Sequence, residues 1–262
     1  RVAGGRPKKR KIRWGSTVKT KTFALQYTTQ QQTGGVGVIV AAAGSAERMG
    51  GVNKLFAPLN GAPVLAHTLL AFQNHPLVQC IAVVTKSQSV LQVQQLAEKF
   101  KLTKVSDILP GGQTRAESVK IGFDFIQKSG VNTVLIHDGA RPLVSEKVIS
   151  RVIAGVEEFS AAAAAVPVKD AIKQTNSLGK ILKNVERSSL CAMQTPQGFR
   201  VANYKNALQT AELADFTDDC ALMEQAGYPV YIVPGDYKNI KITTPEDLII
   251  AEAFLKGNTK CE

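Results

Sequence analysis

The chain has 262 residues, of which 44% are hydrophobic and 20% charged. This composition is ordinary for a globular protein, and the length is enough to bury a sizeable core. No apolar run approaches the ~18 residues needed to cross a bilayer, which excludes an integral membrane protein. The four cysteines include no C-x-x-C pair and there are only three histidines, so a zinc site or a disulfide scaffold is disfavoured.

The net charge of +11 is concentrated at one end of the chain. Residues 1–33 carry nine Lys and Arg and no acidic residue, which leaves 23 basic against 21 acidic groups elsewhere. We predict that 1–35 is a basic flexible tail: an expression tag, an organelle transit remnant, or a nucleic-acid or nuclear-import patch at Lys8 to Lys11. The near-neutral body predicts no nucleic-acid surface. We expect a cytoplasmic bacterial protein, or a plastid stromal one if the tail is a transit remnant.

From Val36 onward, short apolar runs alternate with longer amphipathic stretches. In chain order we predict a strand over 36–42, a helix over 67–73, a strand over 80–85, a helix over 87–100, a strand over 133–137, a helix over 145–159, an apolar segment over 161–168, a strand over 228–233 and a helix over 244–255. T-x-x-E at 114–117 and T-x-x-D at 244–247 are capping-box patterns. The alternation predicts an α/β domain over 36–262, with a mostly parallel Rossmann-like sheet and helices on both faces.

One segment interrupts the alternation. Residues 169–190 read as two short strands around 176–179, with no crossover helix between them. This pattern predicts a β-hairpin arm at about 168–192 that projects from the sheet. An exposed hairpin needs a cover, and a partner subunit is one solution.

The loops after the predicted strands hold the candidate site, because ligands of open α/β sheets bind at the carboxyl ends of the strands. After the first strand, small residues at 41–46 allow a backbone to approach a polyanion, with Arg48 and Lys54 adding charge. The alternative is a generic turn with two surface cations. The loop matches neither G-x-x-x-x-G-K-[ST] nor G-x-G-x-x-G, which disfavours Walker-type NTPases and nicotinamide enzymes.

Three later segments add polar groups. Gly111 and Gly112 precede a helix cap and permit close contact with a nucleobase, or are an ordinary helix lead-in. Asp138 ends a strand, where a carboxylate suits Mg²⁺, and Arg141 could clamp a phosphate. His137 reads as structural. Lys241 lies in 235–243, which we interpret as a strand in which the neighbours of the lysine are apolar. The alternative is a solvent-exposed lysine on an edge strand.

Taken in order, these segments resemble the 2-C-methyl-D-erythritol 4-phosphate cytidylyltransferase family. The matching motifs are A-A-G-x-x-x-R-M…K at 42–54, G-G-x-x-R-x-x-S-V at 111–119, H-D-x-A-R-P at 137–142, V-P-V-K-D at 166–170, T-P-Q at 195–197, T-D-D at 217–219 and N-I-K-I-T-x-P-E-D-L at 239–248. Each is weak alone, but seven in one order are specific.

The resemblance implies a nucleotidyltransferase fold, CTP and methylerythritol phosphate as substrates, Mg²⁺, and a homodimer that exchanges its arms. It implies that Arg48, Lys54 and Lys241 are catalytic, and that Ala42, Ala43, Gly44, Gly112, Gln113 and Ser118 bind the nucleotide. It also implies that Asp138, Arg141, Lys169, Thr195 and Asp236 bind the acceptor substrate, with Asp138 as the metal ligand and Lys169 from the other subunit's arm.

The expected chemistry is attack of the acceptor phosphate on the α-phosphorus of CTP, with pyrophosphate leaving and no covalent protein intermediate. Two hypotheses compete with this one. A ribitol-5-phosphate cytidylyltransferase would share the scaffold, and a non-catalytic nucleotide- or nucleic-acid-binding module would depend on the basic tail.

Overall fold

The computed structural model describes residues 34–44, 53–210 and 216–257. The strands are β1 Val36–Ala42, β2 Pro58–Leu59, β3 Ala62–Pro63, β4 Val78–Thr85, β5 Val105–Pro110, β6 Thr133–Asp138, β7 Ala161–Pro167, β8 Ile172–Thr175, β9 Ile181–Val185, β10 Cys191–Arg200 and β11 Tyr231–Pro234. The helices are α1 Val64–Gln73, α2 Val90–Lys99, α3 Arg115–Ile126, α4 Glu146–Phe159, α5 Val201–Thr210, α6 Asp219–Gln225 and α7 Pro245–Gly257.

Seven strands form one sheet in the order β11-β7-β10-β6-β1-β4-β5. Strand β1 lies at the centre and pairs in parallel with β4 and β6. Strand β5 continues the parallel arrangement beyond β4, and β11 is parallel to β7. Strand β10 runs antiparallel to β6. The predicted mostly parallel α/β sheet is therefore confirmed.

Helices cover both faces of this sheet because the central strands bury both faces. In β1, Val38 and Val40 belong to a core with α1, α2, α4 and α7, whereas Ile39 between them belongs to a second core with α3, α5 and α6. This alternation follows from the two-residue period of a strand, and burial on both faces is the rule for parallel sheets. None of the described helices is long and apolar enough to span a membrane.

Several elements differ from the sequence interpretation, among them strand β10 and the segment 235–243. Strand β10 was not predicted, because its central residues Gln194, Thr195 and Gln197 are polar, yet all three are buried. The segment 235–243, interpreted as a strand, has no assigned strand. Its apolar pattern arises because Ile242 packs into the core from an extended loop, where its N–H donates to the Ala140 carbonyl over 2.8 Å.

Residues 167–192 cluster as a compact unit of their own, separate from the unit that holds the seven-stranded sheet. Within this arm, β8 and β9 pair antiparallel, and the turn over 176–179 joins them as the sequence predicts. The Asn176 side chain accepts hydrogen bonds from the backbone N–H groups of Leu178 and Lys180. An Asn that bonds the backbone in this way is typical of a tight turn.

Candidate active site

Three neighbouring strands end side by side, so the segments that follow them meet at the carboxyl ends of the strands. Ala42 of β1 lies beside Thr85 of β4, and Thr85 lies beside Pro110 of β5. The Gly111 N–H then donates to the Thr85 carbonyl over 2.7 Å. Because these strands are parallel and in register, the segments after them leave the sheet side by side. This is the edge at which open α/β sheets bind their ligands.

A cavity of about 530 Å³ opens at this edge. Its lining comes from the segments after β1, β4, β5 and β6 and from the loop before α7: Ala41, Ala42, Ala43, Gly44, Lys54, Leu55, Lys86, Ser87, Gln88, Gly111, Gly112, Gln113, Thr114, Arg115, Ser118, Asp138, Ala140 and Lys241. The volume falls within the range of small-molecule sites. Among the described residues of the chain, the lining has four cationic side chains and one carboxylate, so the cavity suits a polyanion.

The loop before α3 is fixed by its own hydrogen bonds. The Thr114 side chain accepts from the Glu117 N–H, and the Glu117 carboxylate accepts from the N–H groups of Thr114 and Gln113. This is the predicted capping box. A Cβ on Gly111 would lie 2.7 Å from the Ala43 Cβ, and one on Gly112 would lie 2.5 Å from the Glu117 Cβ. The two glycines are thus required by close packing around the cavity.

Asp138 ends β6 and carries the negative charge of the cavity. Its Oδ2 lies 3.0 Å from Lys241 Nζ and 3.3 Å from Arg141 Nε. The residue is 8% exposed, and burial alone would raise the pKa of its carboxyl. The nearby cations, among which Lys241 has the largest effect, outweigh burial and lower the pKa of Asp138 to about 2. Asp138 is therefore ionised throughout the physiological range.

Buried hydrogen bonds behind Asp138 hold it in place. The Thr195 hydroxyl accepts from the Asp138 N–H over 3.1 Å and lies 2.9 Å from His137 Nδ1. His137 Nε2 lies 3.2 Å from the Arg141 carbonyl. These contacts assign the proton to Nε2, so that Thr195 donates to Nδ1. Burial lowers the pKa of His137 to about 4, and the neutral ring is a structural element, as predicted.

A second set of bonds ties the loop before α7 to the same place. Arg141 Nη1 donates to the Asn239 carbonyl over 2.8 Å, and Asn239 Nδ2 donates to the Thr195 carbonyl over 2.8 Å. The Gln194 side chain donates to the Asp236 carbonyl and accepts from the Asp236 N–H. These bonds join β10 to the segment that carries Lys241, although the two are more than 40 residues apart in the chain.

Comparison with known proteins identifies this arrangement. The family model described as 2-C-methyl-D-erythritol 4-phosphate cytidylyltransferase matches residues 36–257. The chain belongs to this family. It is 42% identical over 228 residues to the cytidylyltransferase of Bacillus licheniformis, covering 86% of this chain and 97% of that one. It is 44% identical over 222 residues to the enzyme of the same name from Syntrophus aciditrophicus, covering 83% and 94%.

Solved structures agree with the cytidylyltransferase assignment. The chain is similar to the crystal structure of 4-diphosphocytidyl-2C-methyl-D-erythritol synthase from Anaerococcus prevotii, with a TM-score of 0.74, 28% identity and coverage of 86% of this chain and 99% of that one. It is also similar to the 2-C-methyl-D-erythritol 4-phosphate cytidylyltransferase from Thermus thermophilus, with a TM-score of 0.69, 29% identity and coverage of 85% and 99%.

Most of the cytidylyltransferase residues singled out in the sequence meet at the cavity. The predicted residues in its lining are Ala42, Ala43, Gly44, Lys54, Gly112, Gln113, Ser118, Asp138 and Lys241. Within the described part of the chain, Arg141, Thr195 and Asp236 do not line it and instead hydrogen-bond to other chain groups. Lys169 belongs to the separate arm unit. Arg48 lies outside the described residues.

Among the side chains in the lining that sequence reasoning missed are Lys86, Gln88 and Arg115. Lys86 comes directly after β4, so the rule that ligands bind at the carboxyl ends of the strands could have identified it. Arg115 stands inside the G-G-x-x-R motif, where it received no role. Its guanidinium lies 2.7 Å from the carboxylate of Asp219, a contact that sequence distance conceals.

The donor set suits a magnesium ion that is shared with a phosphate ligand. The described residues contain no group of three or more His, Cys, Asp or Glu side chains that could hold a metal ion. Asp138 is the one carboxylate in the described lining of the cavity, and both of its ion pairs use Oδ2 rather than Oδ1. Mg²⁺ is commonly held by one or two carboxylates together with phosphates and waters, rather than by an all-protein cage. The site fits that kind of binding.

Proposed function

We propose that the chain transfers a cytidylyl group from CTP to 2-C-methyl-D-erythritol 4-phosphate, a step of isoprenoid biosynthesis by the non-mevalonate route. An oxygen of the acceptor phosphate forms a bond to the α-phosphorus of CTP, and the bond from that phosphorus to the bridging β-phosphate oxygen breaks. The products are 4-diphosphocytidyl-2-C-methylerythritol and pyrophosphate. The observation that carries this proposal is the meeting of Lys54, Asp138 and Lys241 in one cavity of a family member.

The charges of the reactants define what the protein contributes. Two phosphate-bearing anions must approach each other, so positioning and neutralisation account for most of the catalysis. Lys54 and Lys241 supply positive charge from separate parts of the chain, and we include Arg48 in this role on the family motif. The acceptor phosphate is ionised near neutral pH, so the reaction needs no strong general base. His137 suits this view, because it is fully buried and both ring nitrogens contact chain groups.

We assign the two ends of the cavity to the two substrates. The backbone at 42–44 and the loop with Gly112, Gln113 and Ser118 form the nucleotide end, because they provide small residues and close backbone approach. Asp138 and Lys241 form the end for the acceptor phosphate. Arg141, Thr195 and Asp236 act there by holding Asp138 and Lys241 in position.

We propose that Mg²⁺ is the cofactor and that Asp138 holds it together with the phosphates of CTP. The bound ion would neutralise charge on the triphosphate and on the leaving pyrophosphate. Asp138 supports this role because it is ionised and buried at the cavity wall. Lys241, which contacts Asp138 Oδ2, would then be able to move its ammonium group toward a phosphate oxygen.

We also propose that the protein is a homodimer in which the arms are exchanged and Lys169 reaches the partner's acceptor site. The support is the exposure of apolar side chains on the hairpin: Leu178 is 89% exposed, Ile181 59% and Leu182 55%. A cluster of exposed apolar residues on a short two-stranded hairpin is typical of a protein interface.

A single assay tests the activity and its rivals. Purified protein is given CTP and either methylerythritol phosphate or ribitol 5-phosphate, with and without Mg²⁺, and pyrophosphate release is followed. We expect turnover with methylerythritol phosphate that requires Mg²⁺. Preference for ribitol 5-phosphate would overturn the acceptor assignment, and turnover unchanged by a chelator would overturn the cofactor assignment. No turnover with either acceptor would favour a binding module.

A further inference from the structure

Arg115 occupies an electrostatically unfavourable position. It is the first residue of α3, directly after the N-cap Thr114, and it lines the cavity. The amino end of a helix carries partial positive charge, so a cation there is destabilising and an anion is favoured. A cation kept at this place beside a polyanion site needs an opposing charge from elsewhere in the fold.

Asp219 provides that charge from the first residue of α6. Its Oδ2 lies 2.7 Å from Arg115 Nη2, and its side chain is 4% exposed. This oxygen is buried and accepts no hydrogen bond of good geometry from the described residues, so the guanidinium is its main compensation. A buried carboxylate without a partner is costly, which makes the ion pair a fixed feature rather than a surface contact.

Other side chains fix Asp219 itself. The Tyr204 hydroxyl, which is fully buried, donates to Asp219 Oδ1 over 2.7 Å. The Asp219 N–H donates to Gln197 Oε1 over 3.0 Å, and Gln197 Nε2 donates to Asp218 over 2.9 Å. Tyr204 of α5 therefore holds the carboxylate of Asp219, and Gln197 of β10 holds its backbone.

From this geometry we propose that Asp219 is a positioning residue for nucleotide binding: it holds the Arg115 guanidinium at the cavity wall, where Arg115 contacts the bound CTP. The proposal rests on the proposed function, since it takes CTP as the ligand. A simple tie between α3 and α6 would bury both partners, but the Arg115 side chain remains 31% exposed and borders the cavity. Although burial alone would lower the pKa of Arg115, Asp219 and then Asp138 raise it, so the guanidinium remains charged beside the site.

The test compares Asp219→Asn with wild type in the pyrophosphate assay. Asn keeps the shape of the side chain and can still accept the Tyr204 hydrogen bond, but it removes the charge that orients Arg115. We expect the KM for CTP to rise about tenfold, with the KM for methylerythritol phosphate changed less than twofold. The control is Val156→Ala, which creates a cavity in the core near the carboxyl end of α4. This variant should have a lower melting temperature and unchanged KM values for both substrates.

A double-mutant cycle with Arg115→Gln decides whether Asp219 acts through Arg115. If it does, Asp219→Asn raises the KM for CTP less than twofold in the Arg115→Gln background. If Arg115→Gln alone fails to fold, the KM for CTP can still be measured in the double variant, because that variant carries no unpaired buried charge. This KM should then equal or exceed that of Asp219→Asn.

Several results would overturn the inference: an unchanged or lowered KM for CTP in Asp219→Asn, an equal rise in both KM values, or a full tenfold rise in both backgrounds. Wild-type protein that does not turn over CTP with methylerythritol phosphate would instead refute the proposed function, so the two failures are distinguishable.

Discussion

Replacing Lys241 with Met removes the ammonium group that pairs with Asp138 while keeping an unbranched side chain of similar length. Lys241 Nζ lies 3.0 Å from Asp138 Oδ2, and its side chain is 43% exposed. Two unit charges about 4 Å apart at an effective dielectric constant of ~20 interact by roughly 4 kcal/mol. Partial exposure reduces this figure, and the loss of one charge-stabilising donor typically costs about 2.7 to 4 kcal/mol. We therefore take the lower value, which predicts a fall in kcat of about 100-fold.

The assay is steady-state pyrophosphate release at saturating CTP and methylerythritol phosphate. Lys120→Met is a matched control, since Lys120 is also 43% exposed and pairs with a carboxylate, Asp124, at 2.8 Å on α3. That variant should retain kcat within twofold, because exposed pairs contribute little and Asp124 does not line the cavity. If Lys241→Met turned over at a rate near that of wild type, the assignment of Lys241 as a catalytic cation would be wrong.

Four further outcomes are expected. Lys54→Ala should lower kcat at least ~100-fold in the same assay, whereas twofold or less would remove Lys54 from the catalytic set. His137 has a pKa of about 4 in the folded protein, whereas the unfolded chain protonates it near 6.5. The free energy of unfolding should therefore fall by about 3 kcal/mol as the pH drops from 6.5 to 4, and His137→Asn should flatten this slope in urea titrations. Ile181→Asp combined with Leu182→Asp should convert a dimer to a monomer in light scattering, and a change of Lys183 to Asp should not. Deleting residues 1–33 should leave kcat within twofold, because the proposed site residues all lie further along the chain. If the protein were instead a nucleic-acid-binding module, the deletion would abolish salt-sensitive binding to an oligonucleotide.

The elements that the sequence predicts best are those with a strong local signal. Strand β1 is a continuous apolar run, as expected of a strand buried on both faces, and helix α4 follows an apolar period of 3.6 residues. Thr114 with Glu117 forms a capping box that can be read directly from four residues. Lys54 and Asp138 could be identified because ligands of parallel sheets bind at the carboxyl ends of the strands, and both residues lie at or after a strand end. Local patterns therefore predict both the sheet and much of the cavity lining.

The parts that sequence reasoning missed depend on contacts between distant residues. Strand β10 buries polar side chains, and it tolerates them because Thr195 bonds to His137 and Gln197 bonds to residues 218 and 219. No local period reports such pairing. In the same way, Arg115 gains its significance from Asp219, about a hundred residues further along the chain. A family motif names these residues, but only the folded arrangement gives the reason for them.

Pairing of the cavity cations with the protein's own carboxylates has a consequence for selectivity. Lys241 lies on Asp138 and Arg115 lies on Asp219, so neither charge is bare before a ligand arrives. A phosphate group of a ligand must therefore share each of these cations with a carboxylate that already contacts it, which weakens any single contact between a phosphate and a cation. We expect a nucleoside triphosphate to contact several of the lining cations at once, so ion pairs of this kind would favour such a ligand over a lone phosphate ion.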